Sequence, residues 1–177
     1  GLEGFYHDIS DWISRDYYEE DYTGEALYTN VEEVEMLGAE VGITLTPMQD
    51  LSISLDYTYN DAENTSDKAV TDKVAGVAEN EYVLRVNALI PWIQAQLDLQ
   101  GVYSDKIYED LPTTEDPERE TTSSDDHFTV NGRLSKQLTK NFSAYIECEN
   151  LFDEDYESEI GFPGQGRNAL LGVKASF

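Results

Sequence analysis

The chain has 177 residues, 11 Lys and Arg against 37 Asp and Glu, and a formal net charge of -26 at pH 7. A field this negative repels phosphate backbones and excludes a nucleic-acid-binding protein held by basic contacts. Cys148 is the only cysteine, which excludes an internal disulfide and a multi-cysteine metal cage, and no apolar run reaches the roughly 20 residues of a membrane-spanning helix, although the alternating strands of a barrel would escape that test.

In chain order, alternation with period 2 recurs and helical periodicity is hard to find. Segments near Leu2 to Ile13 and Tyr28 to Leu45 open the series. The clearest strand comes next, with Leu51, Ile53, Leu55, Tyr57 and Tyr59 on one face and Ser52, Ser54, Asp56, Thr58 and Asn60 on the other. After Tyr82 to Ile90 comes Ile93, Ala95, Leu97, Leu99 and Tyr103 opposite Gln94, Gln96, Asp98 and Gln100. Phe128, Val130 and Leu134 then face away from Thr129, Asn131, Arg133 and Ser135. Phe142, Ala144, Ile146 and Cys148 alternate with Ser143, Tyr145 and Glu147, and the series ends on Ala169, Leu171, Val173, Ala175 and Phe177. These segments predict an all-β protein, an antiparallel up-and-down meander of about eight strands.

The connections alternate too. Thr46 to Asp50, the stretch around Pro91 and Trp92, and Leu138 to Asn141 are short; Ser14 to Thr29, Asp61 to Glu81, Ser104 to Asp126 and Phe152 to Gly166 are long. In a meander every second connection falls on the same side, so all the long loops project from one end. They also hold most of the acid, in Tyr18 to Tyr22, Glu115 to Glu120 and Asp153 to Glu159. Short turns at one end and long loops at the other are the pattern of an outer-membrane barrel. A soluble β-sandwich that binds a cation or carbohydrate fits the same alternation, its polar faces meeting solvent.

The last 28 residues carry a more specific signal. Asn150, Leu151, Asp153 and Tyr156 read N-L-x-D-x-x-Y, and Gly161, Phe162, Pro163, Gly164, Gln165, Gly166 and Arg167 form a glycine-rich turn before the final strand. This resembles the C-terminal signature of TonB-dependent outer-membrane receptors, whose corresponding run is G-Y-P-x-P-G-R; Phe162 stands for the Tyr and Gln165 for the second Pro. Upstream, Asn30, Gly38 and Glu40 have the spacing of that family's N-x(7)-G-x-E strand, and GLEGFYHDISDWI is similar to the strand before it.

The resemblance implies an orientation and a membrane. Under it, Gly172 and Phe177 fit the terminal signal read by the barrel-assembly machinery, although Leu170 replaces a polar residue and Ala175 a larger apolar one. Phe177, in phase with Val173 and Leu171, would face lipid at the periplasmic edge, where aromatic girdles sit. The tight turns would be periplasmic and the acidic loops extracellular, in the bacterial outer membrane. Arg85, Arg133 and Lys174 should point to the lumen, because such charges at the lipid midplane cost about 2–4 kcal/mol. Members of the family have a plug domain, an energy-coupling box and about 22 strands. Residues 1–177 are therefore expected to be the C-terminal part of a barrel, with plug and earlier strands absent. A self-contained eight-stranded barrel with a structural or adhesive role is the rival reading.

The function implied by the same resemblance is energy-coupled uptake of a scarce ligand such as a ferric siderophore or cobalamin. The implied partners are outer-membrane lipid, the assembly machinery, a small molecule such as a metal chelate, and an inner-membrane complex acting through the plug. No catalytic constellation is expected, and no cofactor or metal. His7 and His127 are far apart and have no nucleophile at a telling spacing, so they read as lumen or loop residues. Cys148, between Glu147 and Glu149 and in phase with apolar neighbours, reads as a lipid-facing or packed small hydrophobe. The turn from Gly161 to Arg167 lacks the Lys-Ser/Thr of a phosphate loop. Arg167, beside Asp153, Glu154 and Asp155, reads first as a pin for the last loop and second as part of an anionic ligand path. The acidic loops match no twelve-residue calcium loop, and a solvated fringe is the simpler reading. The mixture of rings and acids from Trp12 to Tyr28, with Tyr17, Tyr18 and Tyr22, reads as outer girdle.

Overall fold

Alternating apolar and polar side chains can bury only one face of an extended chain, and here they build a wall. The computed structural model describes residues 1–16, 27–67, 69–112 and 117–176. Eight strands form one antiparallel sheet: β1 (Leu2–Asp16), β2 (Leu27–Met48), β3 (Leu51–Asn64), β4 (Asn80–Ile90), β5 (Ala95–Ser104), β6 (His127–Gln137), β7 (Phe142–Glu149) and β10 (Asn168–Ala175). A two-stranded hairpin, β8 (Glu157–Glu159) with β9 (Phe162–Pro163), lies within the connection from β7 to β10. Each strand of the large sheet pairs with its neighbour in chain order, so the expected meander is present. Among the described residues its edges, β1 and β10, do not pair with each other, and there is no second sheet packed on the first. The strands thus form neither a closed eight-stranded barrel nor a sandwich.

Several boundaries differ from expectation: β3 runs on to Asn64, into the connection expected from Asp61, and β2 to Met48, into the turn expected from Thr46. Ile93 lies in a turn and not in a strand: the Gln94 N–H donates to the Pro91 carbonyl at 3.2 Å, Gln94 has φ of 50°, and β5 starts at Ala95. A proline that cannot donate at the start of the turn and the left-handed Gln94 at its end reverse the chain there. The first hairpin is also longer than its apolar pattern, since β1 runs to Asp16 and β2 begins at Leu27. Pairing continues there through Ser14, Arg15 and Asp16 of β1, which hydrophobic periodicity does not mark. Tyr17, Tyr18, Tyr22, Glu115 and Phe177 lie outside the described residues.

Register turns single-strand alternation into continuous stripes. Leu51, Ala88, Leu97, Leu134, Ile146 and Leu171 are successive cross-strand partners over six strands. Asn87, Asp98, Arg133 and Glu147 form a polar row one position away, on the opposite face. Near the long-loop end, Tyr57, Tyr82, Tyr103 and Phe128 are in register on the apolar face, with ring centroids 4.6 Å apart for the first pair and 5.9 Å for the second. At the short-turn end Trp92 and Phe142 are exposed.

The apolar face is not covered by the chain. Ile146 is 50% exposed and Leu171 76%, while Val34, Val74, Ala78 and Ala95 are the only buried apolar side chains among the described residues. So large an uncovered apolar surface, bounded by aromatic rings at both ends, has the form of the outward face of a barrel wall. Strands β4, β5 and β6, of 11, 10 and 11 residues, have the length for a tilted crossing.

On the polar face, close packing is achieved by rings laid over glycines. A Cβ on Gly38 would come within 2.1 Å of the Phe5 ring, and one on Gly172 within 2.2 Å of the Tyr145 ring. Each ring crosses to the glycine directly opposite it in the neighbouring strand. The missing side chain thereby becomes the seat of an aromatic one.

Candidate functional site

Three groups of side chains lie away from the uncovered apolar face. The first is the polar face. Arg85 of β4 pairs with Asp56 of β3, and the Arg133 guanidinium lies 3.5 Å from the Glu147 carboxylate and 4.1 Å from the centre of the Tyr145 ring. Strand alternation puts these groups on one side, and the register sets Arg133 directly opposite Glu147 and Arg85 diagonal to Asp56. A shallow groove of about 270 Å³ runs between them, lined by Arg85, Asp98, Asn131, Arg133 and Glu147. Lys174 stands opposite Ser143 in the same phase. Glu40, expected as a motif residue, is on this face between Glu3 and Thr58, while Asn30 stands in β2 opposite Ile13. His7 is tilted against Phe5, with ring centroids 5.3 Å apart.

The second group is a clasp at the base of the last long connection, and it gathers most of the terminal motif. Asn150 is 4% exposed and has φ of 48°. Its backbone N–H donates to Asn131 Oδ1 at 2.9 Å. Its amide Nδ2 donates to the carbonyls of Glu154 at 2.9 Å and Gln165 at 3.0 Å, and its Oδ1 accepts from the Glu154 N–H at 2.9 Å. A short amide side chain with donors and an acceptor, able to adopt a left-handed backbone, suits this position. The Leu151 N–H donates to the Val130 carbonyl at 2.7 Å, closing the clasp against β6.

Asp153 accepts from the Arg167 N–H at 2.9 Å and from its Nη2 at 3.0 Å. Those two contacts, the backbone one first, hold the Asp153 carboxyl below the usual carboxylate range. Tyr156 lies over Gly164, where a Cβ would meet its ring at 2.3 Å, and stacks on His127 with centroids 4.6 Å apart. Gly161, with φ of 78°, makes the turn between β8 and β9, and Pro163 pairs with Glu157. Gly166 passes beside the Asp153 carboxylate.

The third group is the platform of long loops, which hold one another. The Thr65 N–H donates to the Glu33 carbonyl at 2.9 Å, and the Glu33 N–H to Ser66 Oγ at 3.0 Å. Ala78 bridges Ile107, and the Gly76 N–H donates to the Tyr108 carbonyl at 2.9 Å. The Glu109 carboxylate accepts from the Ile160 N–H at 2.6 Å. Tyr108 stands at the seam, in the wall of two clefts of about 270 and 390 Å³. The Lys73 ammonium is 4.3 Å and the Lys106 ammonium 5.2 Å from its ring centre. Interaction of Lys73 with the hydroxyl holds this phenol below its ordinary pKa; burial pulls the other way, and Lys106 adds to the lowering.

Lys73, Tyr108 and Lys106 have no signature in sequence, because two loops must meet before the three come together. Asn131 is likewise invisible in sequence as the partner of Asn150. Among the described residues no three or more His, Cys, Asp or Glu side chains are grouped to hold a metal ion.

A family model described as TonB dependent receptor-like, beta-barrel, matches residues 1–151. No curated protein sequence matches significantly. Among solved structures, the copper transporter OprC aligns with a TM-score of 0.76 at 17% identity, over 99% of this chain and 27% of that one. The pyoverdine outer membrane receptor FpvA from Pseudomonas aeruginosa PAO1, bound to pyoverdine, aligns with a TM-score of 0.73 at 19% identity, over 99% and 27%. The siderophore receptor PiuA from Acinetobacter baumannii gives 0.72 and 22%, over 98% and 26%. The chain spans about a quarter of the length of the solved structures it matches, and these likenesses show a shared fold.

Proposed function

The chain belongs to the family of TonB dependent receptor-like β-barrels, and on that premise we propose that it supplies part of the wall and several ligand-facing loops of an outer-membrane receptor for energy-coupled uptake. The ligand class is a scarce small molecule of ferric siderophore or cobalamin type. The observation that supports the reading best is the division of the sheet into two faces: one apolar and uncovered, the other a row of Asn87, Asp98, Arg133 and Glu147, with every long loop at one end.

In this reading the aromatic row of Tyr57, Tyr82, Tyr103 and Phe128 lies at the outer lipid interface, and the loop platform faces the medium. The loops capture the ligand, and the polar face lines its path. The inner-membrane energy-coupling complex acts through a plug domain, and outer-membrane lipid covers the apolar face. The barrel-assembly machinery reads the terminal strand, with Gly172 and Phe177 as its signal. The family motif residues from Asn150 to Arg167 serve this function indirectly, by fixing the last loop against the wall. No covalent chemistry is asked of the chain.

The test is uptake by whole cells carrying or lacking the full-length gene. Labelled ferric chelates and cobalamin are offered in turn, with and without collapse of the proton-motive force. Energy-dependent accumulation of one of them, lost on deletion, is the expected result. Equal accumulation by both strains for every ligand offered overturns the uptake reading. Phe177→Ser should separately reduce the amount of folded protein in the outer-membrane fraction.

A further inference from the structure

Charge is spread unevenly along the strands. The short-turn end comprises residues 43–54, 86–98, 134–146 and 171–176. Of the 37 Asp and Glu it holds only Asp50 and Asp98, against Lys136, Lys140 and Lys174. A chain of formal charge -26 therefore has one end that is not negative. Asp98 and Lys174 stand there on the polar face, where Asp98 accepts from Gln96 Nε2 at 2.9 Å.

Lys136 stands on the other face. It is in phase with Leu134, near the end of β6, and its cross-strand partners are Ala95 and Ala144. Arg85, Arg133 and Lys174 are all on the polar side. Partners as short as alanine leave room for the lysine stem to lie along the sheet and carry its ammonium to the rim. Lys140 follows in the adjoining turn, which is held by the Leu138 N–H to the Phe142 carbonyl at 2.9 Å and by Gln137 Nε2 to the carbonyls of Thr139 at 2.6 Å and Phe142 at 3.2 Å. Among the described residues neither Lys136 nor Lys140 is paired with a carboxylate. Leu138, Phe142 and Trp92, the last in the turn that leads into β5, are exposed at the same end.

We propose that Lys136 and Lys140, with Leu138, Phe142 and Trp92, form a seat for the headgroup of an anionic phospholipid at the short-turn rim. The phosphate meets the two ammoniums, and the acyl chains lie along the apolar face beside Leu134 and Ile146. A cation on an apolar face is costly in hydrocarbon but not where it reaches a phosphate at the interface. The acidic long-loop end repels such a lipid, and the short-turn end does not. A zwitterionic headgroup brings its own ammonium, which repels the lysines and takes part of the attraction of the phosphate. A headgroup of net negative charge does neither. The inference rests on the membrane reading and deepens it, by naming the headgroup and the end of the sheet that takes it.

The experiment reconstitutes the full-length protein in phosphatidylcholine vesicles in which brominated phosphatidylglycerol, or brominated phosphatidylcholine, replaces a rising fraction of the lipid. Quenching of Trp92 is read as the difference between each protein and its Trp92→Phe counterpart. The parent should prefer phosphatidylglycerol about tenfold, and Lys136→Met should lower that preference about fivefold, as for loss of one lysine at an anionic surface. Lys136→Met adds an apolar side chain to an apolar face, so it should fold as the parent does. Lys136→Arg should stay within about twofold of the parent, because the charge is kept, and added salt should weaken the preference. Equal quenching of the parent by the two lipids overturns the proposal, as does a preference that survives when Lys136→Met and Lys140→Met are combined. Loss of the preference on adding inorganic phosphate equimolar with the lipid overturns it too, in favour of a simple anion site. Insertion without preference sinks this inference alone, and failure to enter vesicles sinks it together with the membrane reading. A preference kept by a protein that imports nothing supports it, and overturns only the uptake reading.

Discussion

Asn150 shows how much one side chain can organise when backbone conformation and hydrogen-bonding capacity coincide. It ties residues 131, 154 and 165 together, and Asp153 with Arg167 closes the same loop from outside. The lowered Asp153 pKa gives that closure a pH dependence with a definite sign. A carboxyl whose folded pKa lies below its unfolded value, about 3.9, contributes stability above that value and loses it as pH falls through the folded pKa. Pepsin should therefore cut the connection from 150 to 167 faster in Asp153→Asn than in the parent near pH 5. The difference should close as pH drops below about 4, and a difference that persists unchanged at the lowest pH would show that Asp153 acts through its shape and not its charge. The effect will be modest because the pair is half-exposed. At this scale the sequence shows the motif, but not its anchor: Asn131 is 19 residues away and resembles any other polar residue of its strand.

Strands are the most legible elements, because one face must be apolar along each. Legibility fails where that demand lapses. The outer end of β1 pairs through Ser14, Arg15 and Asp16, β8 and β9 are too short to show a period, and the bridge from Ala78 to Ile107 joins segments that read as loops. Glycines within strands are visible in sequence, but not what lies over them. Gly38→Val should destabilise the first hairpin, because the added atoms meet the Phe5 ring; about 1–3 kcal/mol is the usual cost of such overpacking. Phe5→Ala in the same chain should recover much of it. Urea midpoints of the two single variants and the double variant in lipid vesicles decide the matter, and additive losses would mean that ring and glycine do not share one space.

Taken whole, the molecule is a sheet with one apolar and one polar face, which in the proposed setting meet two solvents. Neighbouring residues on one strand should therefore respond oppositely to the same change. Leu99 belongs to the apolar face and Gln100 to the polar one, opposite Gly132 and Asn131 respectively. Leu99→Arg should cost about 2–4 kcal/mol in lipid vesicles, while Gln100→Arg should cost little. Equal effects would mean that the two faces meet the same medium. The faces are readable from alternation alone. The seam at Tyr108 is not, since it arises only where two loops of different hairpins lie side by side.

The scarcity of buried apolar side chains has a further consequence. A residue in a protein core has solid neighbours, and shortening it leaves a void whose cost adds to that of lost hydrophobic contact. In the outer membrane proposed above, the outward residues of this sheet, Ile146 and Leu171 among them, would have a liquid for a neighbour. Hydrocarbon chains flow into any space a shorter side chain leaves, so the void term vanishes and one greasy residue serves nearly as well as another. On that proposal the outer surface could be rewritten letter by letter without a change of shape, so long as each letter stays apolar.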